Sequence, residues 1–183
     1  MILKSEELIN DLKKYVENHI TFVESIKNIS EEELQQKENK SSWSAVECIE
    51  HLNLYAAFYN PEIKGRIKNA KQQSNPNFKP GFLGDKFSLD MLPQEKMKTM
   101  DTFKSKNPIH SSLDVNDVLT RFIAFQKELL QLLESSKKVN LTKVKTSITL
   151  PLLKFRLGDT FRFTIYHNER HIIQAKKALK IKV

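Results

Sequence analysis

From Ser5 to about Asn28, the apolar residues Leu8, Leu12, Tyr15, Val16, Phe22, Val23 and Ile26 return every three or four positions. That is the period of one buried helical face. Long breaker-free runs of the same kind recur further on, and the 183 residues include only four glycines. A chain so poor in turn formers is badly suited to the frequent reversals of a sandwich or barrel, so the expected class is all-α. Its length suits one domain spanning 1–183 with a real core.

Local signals divide this chain into four helices and one long loop. After the first helix, Ser30-Glu31-Glu32-Glu33 reads as a cap opening a short turn. The second helix begins at Ser44, with Glu47 three residues on to complete a capping box and Trp43 ahead of the cap to pack on the first turn. Pro61 removes a backbone donor, so the helix is expected to stop near Asn60 or to resume, kinked, through Ile67. From about 72 to 108 the periodicity is lost among Pro76, Pro80, Gly81, Gly84, Pro93 and Pro108. Phe78, Phe82, Leu83, Phe87, Leu89, Met91 and Leu92 argue against plain disorder there, so the stretch is read as a flap over the bundle, with a short helix near Gln94 to Met100.

Asp114 caps a third helix whose buried stripe is Val118, Phe122, Phe125, Leu129, Leu132 and Leu133, ending around Ser135 to Lys138. A connector containing Pro151 leads to Leu157-Gly158-Asp159-Thr160, which starts the fourth helix with Phe161, Ile165, Ile172, Ala175 and Leu179 on its apolar face. Four amphipathic helices of this length are expected to make a four-helix bundle, with the long loop between the second and third.

No window approaches the roughly 18 apolar residues of a membrane span, and Met1 to Asn10 lacks the basic and apolar regions of a leader. A single cysteine, Cys48, forms no internal disulfide and leaves no cysteine-rich zinc site; together these features read as a cytoplasmic chain. The net charge of +8 raises nucleic acid as a partner. Its lysines are scattered among glutamates with no helix-turn-helix or aromatic-basic signature, which favours a solvated surface.

Chemistry concentrates in the histidines. His167 and His171 are four residues apart, hence about 40° apart around a helix and one turn apart along it, the spacing at which two imidazoles can share an ion. They are equally readable as polar residues of an ordinary helix. His51 lies in the second helix on a stripe with Glu47, Cys48, Leu54, Tyr55 and Phe58, where a buried imidazole without a partner costs ~1–3 kcal/mol. Sharing an ion with His167 and His171 would satisfy it. His19, between Tyr15 and Phe22, reads instead as a hydrogen-bonded core residue.

The segment "WSAVECIEHLNLY", followed about 110 residues later by "LGDTFRFTIYHNERHIIQAKK", resembles the DinB-like superfamily of bacterial four-helix bundles. The shared pattern is a Trp-Ser helix start with one histidine near mid-helix, then a Leu-Gly turn and His-x-x-x-His on the last helix. By that resemblance His51, His167 and His171 correspond to three histidines that bind a divalent metal, commonly nickel or zinc, with open positions for water and substrate. The resemblance implies a metal-dependent enzyme of thiol S-transfer or hydrolytic type. Relatives include transferases that join bacillithiol to electrophiles, a mycothiol-dependent maleylpyruvate isomerase and metal hydrolases, and dimers are frequent.

The expected partner is thus a small molecule such as a low-molecular-weight thiol. Two other readings stay beside it: a non-catalytic bundle whose metal is structural, and nucleic-acid binding. Among candidate catalytic residues, Glu47 lies one turn before His51 and suits a general base, a fourth ligand or an orienting group, but it is also the capping residue. Arg170 is placed to clamp an anionic substrate or simply to be a solvated charge. Gln174 continues the His167–His171 face, Tyr55 reads as core, and Cys48 as a small buried hydrophobe.

Overall fold

The periodic stretches form the helices that their apolar stripes demand. The structure, a computed structural model, describes residues 2–93, 102–109 and 111–181. Four long helices make the bundle: α1 (Ser5–Ser25), α3 (Ala45–Lys68), α5 (Val115–Ser136) and α6 (Leu157–Ala178). Helices α1 and α3 each pack on both α5 and α6, so the order around the axis is α1, α5, α3, α6. Two shorter helices, α2 (Glu31–Gln35) and α4 (Phe82–Met91), lie outside this set. No helix among the described residues is long and apolar enough to cross a membrane.

Three starts follow the caps. Ser30 Oγ accepts the Glu33 N–H, and Asp114 Oδ1 accepts the Asp117 N–H at 2.9 Å. At α3 the box is complete: Glu47 N–H donates to Ser44 Oγ at 3.3 Å and Ser44 N–H to Glu47 Oε2 at 2.8 Å. Pro61, however, does not end α3, which runs on for two turns to Lys68. The carbonyl that Pro61 leaves without an intrahelical donor belongs to Ala57, and both residues are exposed, so water can satisfy it. Beyond the proline, Ile63 is fully buried, which anchors the extra turns.

The flap has more structure than its punctuation suggests. Strand β1 (Leu3–Lys4) pairs antiparallel with β2 (Asn77–Phe78), which ties the stretch to the start of α1. Helix α4 follows and lies along α6; a Cβ at Gly84 would come within 2.6 Å of Asp159, so only glycine permits this approach. A 3-10 turn, Lys104–Lys106, sits against α3. The expected helix near Gln94 to Met100 lies outside the described residues. The Pro151 connector contains an antiparallel hairpin, β3 (Lys145–Ser147) with β4 (Lys154–Arg156). Strands of three residues are too short to leave a period in the sequence.

The core falls into two apolar clusters stacked along the bundle. One contains Leu12, Val16, Tyr59, Leu129, Phe161 and Ile165; the other contains Phe22, Val23, Ile49, Phe122, Ile172 and Ala175. Each such side chain contributes roughly 1.5–3 kcal/mol by leaving water. Between the clusters every bundle helix buries a polar residue: His19 from α1, His51 from α3, Gln126 from α5, His167 and Asn168 from α6. This polar layer is where the fold departs from a plain oily bundle.

Candidate metal centre

On the α3–α6 side of that layer three imidazoles meet. His51 comes from mid α3, and His167 and His171 stand one turn apart on α6. A ligand nitrogen from each lies within 4.8 Å of the others, and the Nε2 atoms of His51 and His167 are 3.2 Å apart. Two imidazoles bound to one tetrahedral ion at about 2.0–2.1 Å would stand about 3.3–3.4 Å apart, so this pair is already near ligand spacing. The His171 ring centroid lies 4.5 Å from that of His51 and 4.6 Å from that of His167.

Hydrogen bonds decide which nitrogens face inward. His51 Nδ1 donates to the Lys106 carbonyl at 2.6 Å, and His171 Nδ1 donates to Gln174 Oε1 at 2.9 Å. An oxygen of this kind only accepts, so in the neutral ring each Nε2 keeps its lone pair for the centre. Carbonyl partners on the outer nitrogen are how metal-binding histidines are commonly oriented. All three rings are held neutral. Burial pushes His51 down to about 4 and His171 down to about 3, each against a usual value near 6.5. Burial also depresses His167, helped by the neighbouring His171 and His51. Neutral imidazole is the form that binds metal, so the donor set fits a divalent ion.

The imidazoles line a cavity of about 640 Å³ between α3 and α6, under α4 and the β3–β4 hairpin. Arg170 lines it as well, half-buried, as do Tyr55 and Gln174. Tyr55 is therefore more than core: its ring centroid is 4.9 Å from His51 and 4.7 Å from His167.

Glu47 is placed otherwise. One carboxylate oxygen accepts the Ser44 N–H and the other accepts from Lys37 Nζ at 2.6 Å, so both are engaged in starting α3 and holding the preceding loop. It is not part of the group that the three histidines form. Cys48 is fully buried, and its burial pushes the thiol well up, which keeps it protonated and unreactive. His19 donates from Nε2 to Glu169 Oε2 at 2.8 Å, a core hydrogen bond tying α1 to α6.

Three neighbours were missed in the sequence. The Lys106 carbonyl comes from the flap, and a backbone oxygen carries no residue signature. Trp43 does more than pack on the first turn of α3: its ring lies 4.6 Å from His51 and 5.6 Å from His171, and Nε1 donates to Asn107 Oδ1 at 3.1 Å. Glu169 was legible only through its partner, since nothing in the sequence pairs it with a histidine 150 residues earlier.

No curated protein and no solved structure matches the chain. The family model of the DinB superfamily does match, over residues 15–175, which takes in the second half of α1, all of α3 and α5, most of α6 and each of the three histidines. With that match laid over a helical bundle whose two histidine-bearing helices meet in one imidazole cluster, the chain belongs to the DinB superfamily.

Proposed function

We propose that this protein is a divalent-metal-dependent enzyme in which His51, His167 and His171 hold the ion and the adjoining cavity receives a small nucleophile and its acceptor. The observation that carries this is the convergence of three neutral imidazoles on the wall of a cavity large enough for small molecules. Among the described residues no further His, Cys, Asp or Glu joins them, whereas a structural site is closed by four protein ligands. Nickel or zinc is the ion we assign, both being well suited to imidazole. Such an ion, when bound, lowers the pKa of a thiol or water brought to it and so supplies a nucleophile near neutral pH.

The remaining work belongs to the chain. The Lys106 carbonyl and Gln174 fix two of the imidazoles before anything binds, which spares reorganisation later. Trp43 and Tyr55 shield the imidazoles and lower the local dielectric. Arg170 puts positive charge on the cavity wall beside the imidazoles, suited to a carboxylate of a low-molecular-weight thiol. We place thiol S-transfer before hydrolysis because a cavity of about 640 Å³ beside the imidazoles has room for a thiol as well as an acceptor. The test is elemental analysis of protein purified without chelators, followed by conjugation of a small thiol to a fluorogenic alkyl bromide. One equivalent of metal, lost in His51→Ala together with the conjugation, supports the reading. Metal-free protein that cannot be loaded sinks it.

A further inference from the structure

The cavity is chemically divided, and the division runs along its length. Helices α3 and α6 pass the cavity in opposite directions: His51 lies against His171 and His167, Tyr55 against His167, and Tyr59 against Phe163. Toward the start of α6 the lining is aromatic. Phe163 has ring centroids 6.1 Å from both Tyr59 and Phe155, and Phe155 lies 5.7 Å from Phe87 of α4. The one polar tip among these rings is already engaged: the Tyr59 hydroxyl accepts the Thr149 N–H at 3.4 Å from the hairpin. Toward the end of α6 the lining changes to Gln174 and Lys177. Fourteen residues of helix separate Phe163 from Lys177, or about 21 Å at 1.5 Å per residue, with the imidazoles between them.

From this polarity we infer that the acceptor substrate is an amphipathic organic anion, its aryl or alkyl body seated among Tyr59, Phe87, Phe155 and Phe163 and its acidic group toward Lys177. This rests on the proposed enzyme for its meaning but not for its measurement. An aromatic pocket of four rings with no free polar tip would be a poor place for water or a sugar-like polar group, and a good one for apolar surface. Seating the body beyond His167 and the acid on the far side leaves the middle of the molecule over the imidazoles, where a bond would be made or broken. Specificity would then be set by the body's length and not by its hydrogen bonds.

The probe is 1-anilinonaphthalene-8-sulfonate, an aryl sulfonate that fluoresces on burial and is a poor metal ligand, titrated against the folded protein with and without added zinc. Displacement by n-alkyl sulfonates of six to fourteen carbons then reads the subsite directly. The expected result is one saturable site, with affinity rising about fourfold per methylene until the aromatic end is full. Phe87→Ala, on the peripheral helix, is expected to flatten that rise, and Lys177→Glu, at an exposed position, to weaken every member about equally and reduce the salt dependence. Phe163→Ala is a second aromatic-end variant should Phe87→Ala lose α4, and thermal melts verify that each is folded. A flat chain-length series in folded protein, or variants that bind as the parent does, overturns the inference. A steep series in protein that takes up no metal leaves the subsite standing and removes the enzyme; one equivalent of metal with a flat series does the reverse.

Discussion

The polar layer across the bundle has a closed half and an open half, and helix α6 serves both. Toward α1 and α5 two of its polar groups end in pairs: Glu169 Oε2 accepts from His19 Nε2 at 2.8 Å, and Asn168 Nδ2 donates to Gln126 Oε1 at 3.2 Å. Toward α3 it presents His167 and His171, whose inner nitrogens gather with that of His51, and among the described residues no fourth ligand side chain joins them. Asp159 and Arg162 form a further closed cluster, with Arg162 Nη1 bridging Asp85 at 2.6 Å and Asp159 at 3.3 Å, and Gly81 N–H donating to Asp159 at 2.7 Å. Burial alone therefore does not distinguish a structural polar residue from a ligand. His19 is as buried as His51; the difference is that a carboxylate on another helix meets the Nε2 of one, while the ring nitrogens of three histidines gather at the other.

The largest expected effect breaks the two halves apart. His167→Ala takes metal from one equivalent to none, read by elemental analysis after loading and desalting. His19→Leu leaves the stoichiometry at one and instead lowers stability by about 1–3 kcal/mol, because Glu169 loses its donor in a half-buried place. At about 2–4 °C per kcal/mol in a chain of this size, the melt resolves it. Equal metal loss in both variants would mean the closed half is part of the centre.

The Asp159 cluster sharpens the comparison through pH. Burial is the main cause that raises this carboxyl from 3.8 to about 6, with Asp85 adding to the rise and the Gly81 N–H and Arg162 opposing it. The folded chain thus holds the proton more tightly than the unfolded one. Its contribution is fully present below about pH 4 and is lost as pH rises through about 6, amounting to on the order of 3 kcal/mol. Asp159→Asn keeps an acceptor for Gly81 without the charge. Denaturant melts of the two proteins between pH 4 and 7 are expected to diverge by that amount, the variant gaining toward neutral pH. Parallel curves would show that Arg162 fully compensates the charge.

Gln174 tests the open half from outside. Gln174→Leu removes the acceptor that orients His171 and is expected to weaken metal affinity 10- to 100-fold with little change in stability, whereas Gln174→Glu restores an acceptor at the same reach. Competition against a chromophoric chelator measures both. Unchanged affinity in Gln174→Leu would show that packing by Trp43 alone sets the ring.

How much of this was legible depends on what kind of atom did the work. The bundle and the three histidines could be read because side chains on a helix repeat their direction every three to four residues. The Lys106 carbonyl could not, because every residue has one. Helix α4 was hidden by the very glycine that lets it pack: Gly84 reads as a loop residue, yet Asp159 leaves no room for a Cβ there. Pro61 left the end of α3 open between Asn60 and Ile67, since its cost depends on whether the freed carbonyl faces water, and only the fold reveals that it does.

Glu47 is the smallest effect and the one that separates two readings of a single residue. It sits one turn from His51, where a general base would be useful, yet both its oxygens are bonded to Ser44 N–H and Lys37 Nζ. Glu47→Gln keeps the shape and one acceptor oxygen but loses the charge opposite Lys37. As a cap with one partner weakened, it should cost about 1 kcal/mol in a thermal or denaturant melt and leave thiol conjugation within about twofold. As a proton acceptor in the reaction, it should leave the melt nearly unchanged and lower turnover by about 100-fold or more. Lys37→Met decides any mixed outcome, because it removes the same ion pair without touching the carboxylate: if it reproduces the stability loss and spares the conjugation rate, the carboxylate belongs to the scaffold and the open half of the layer works with imidazoles alone.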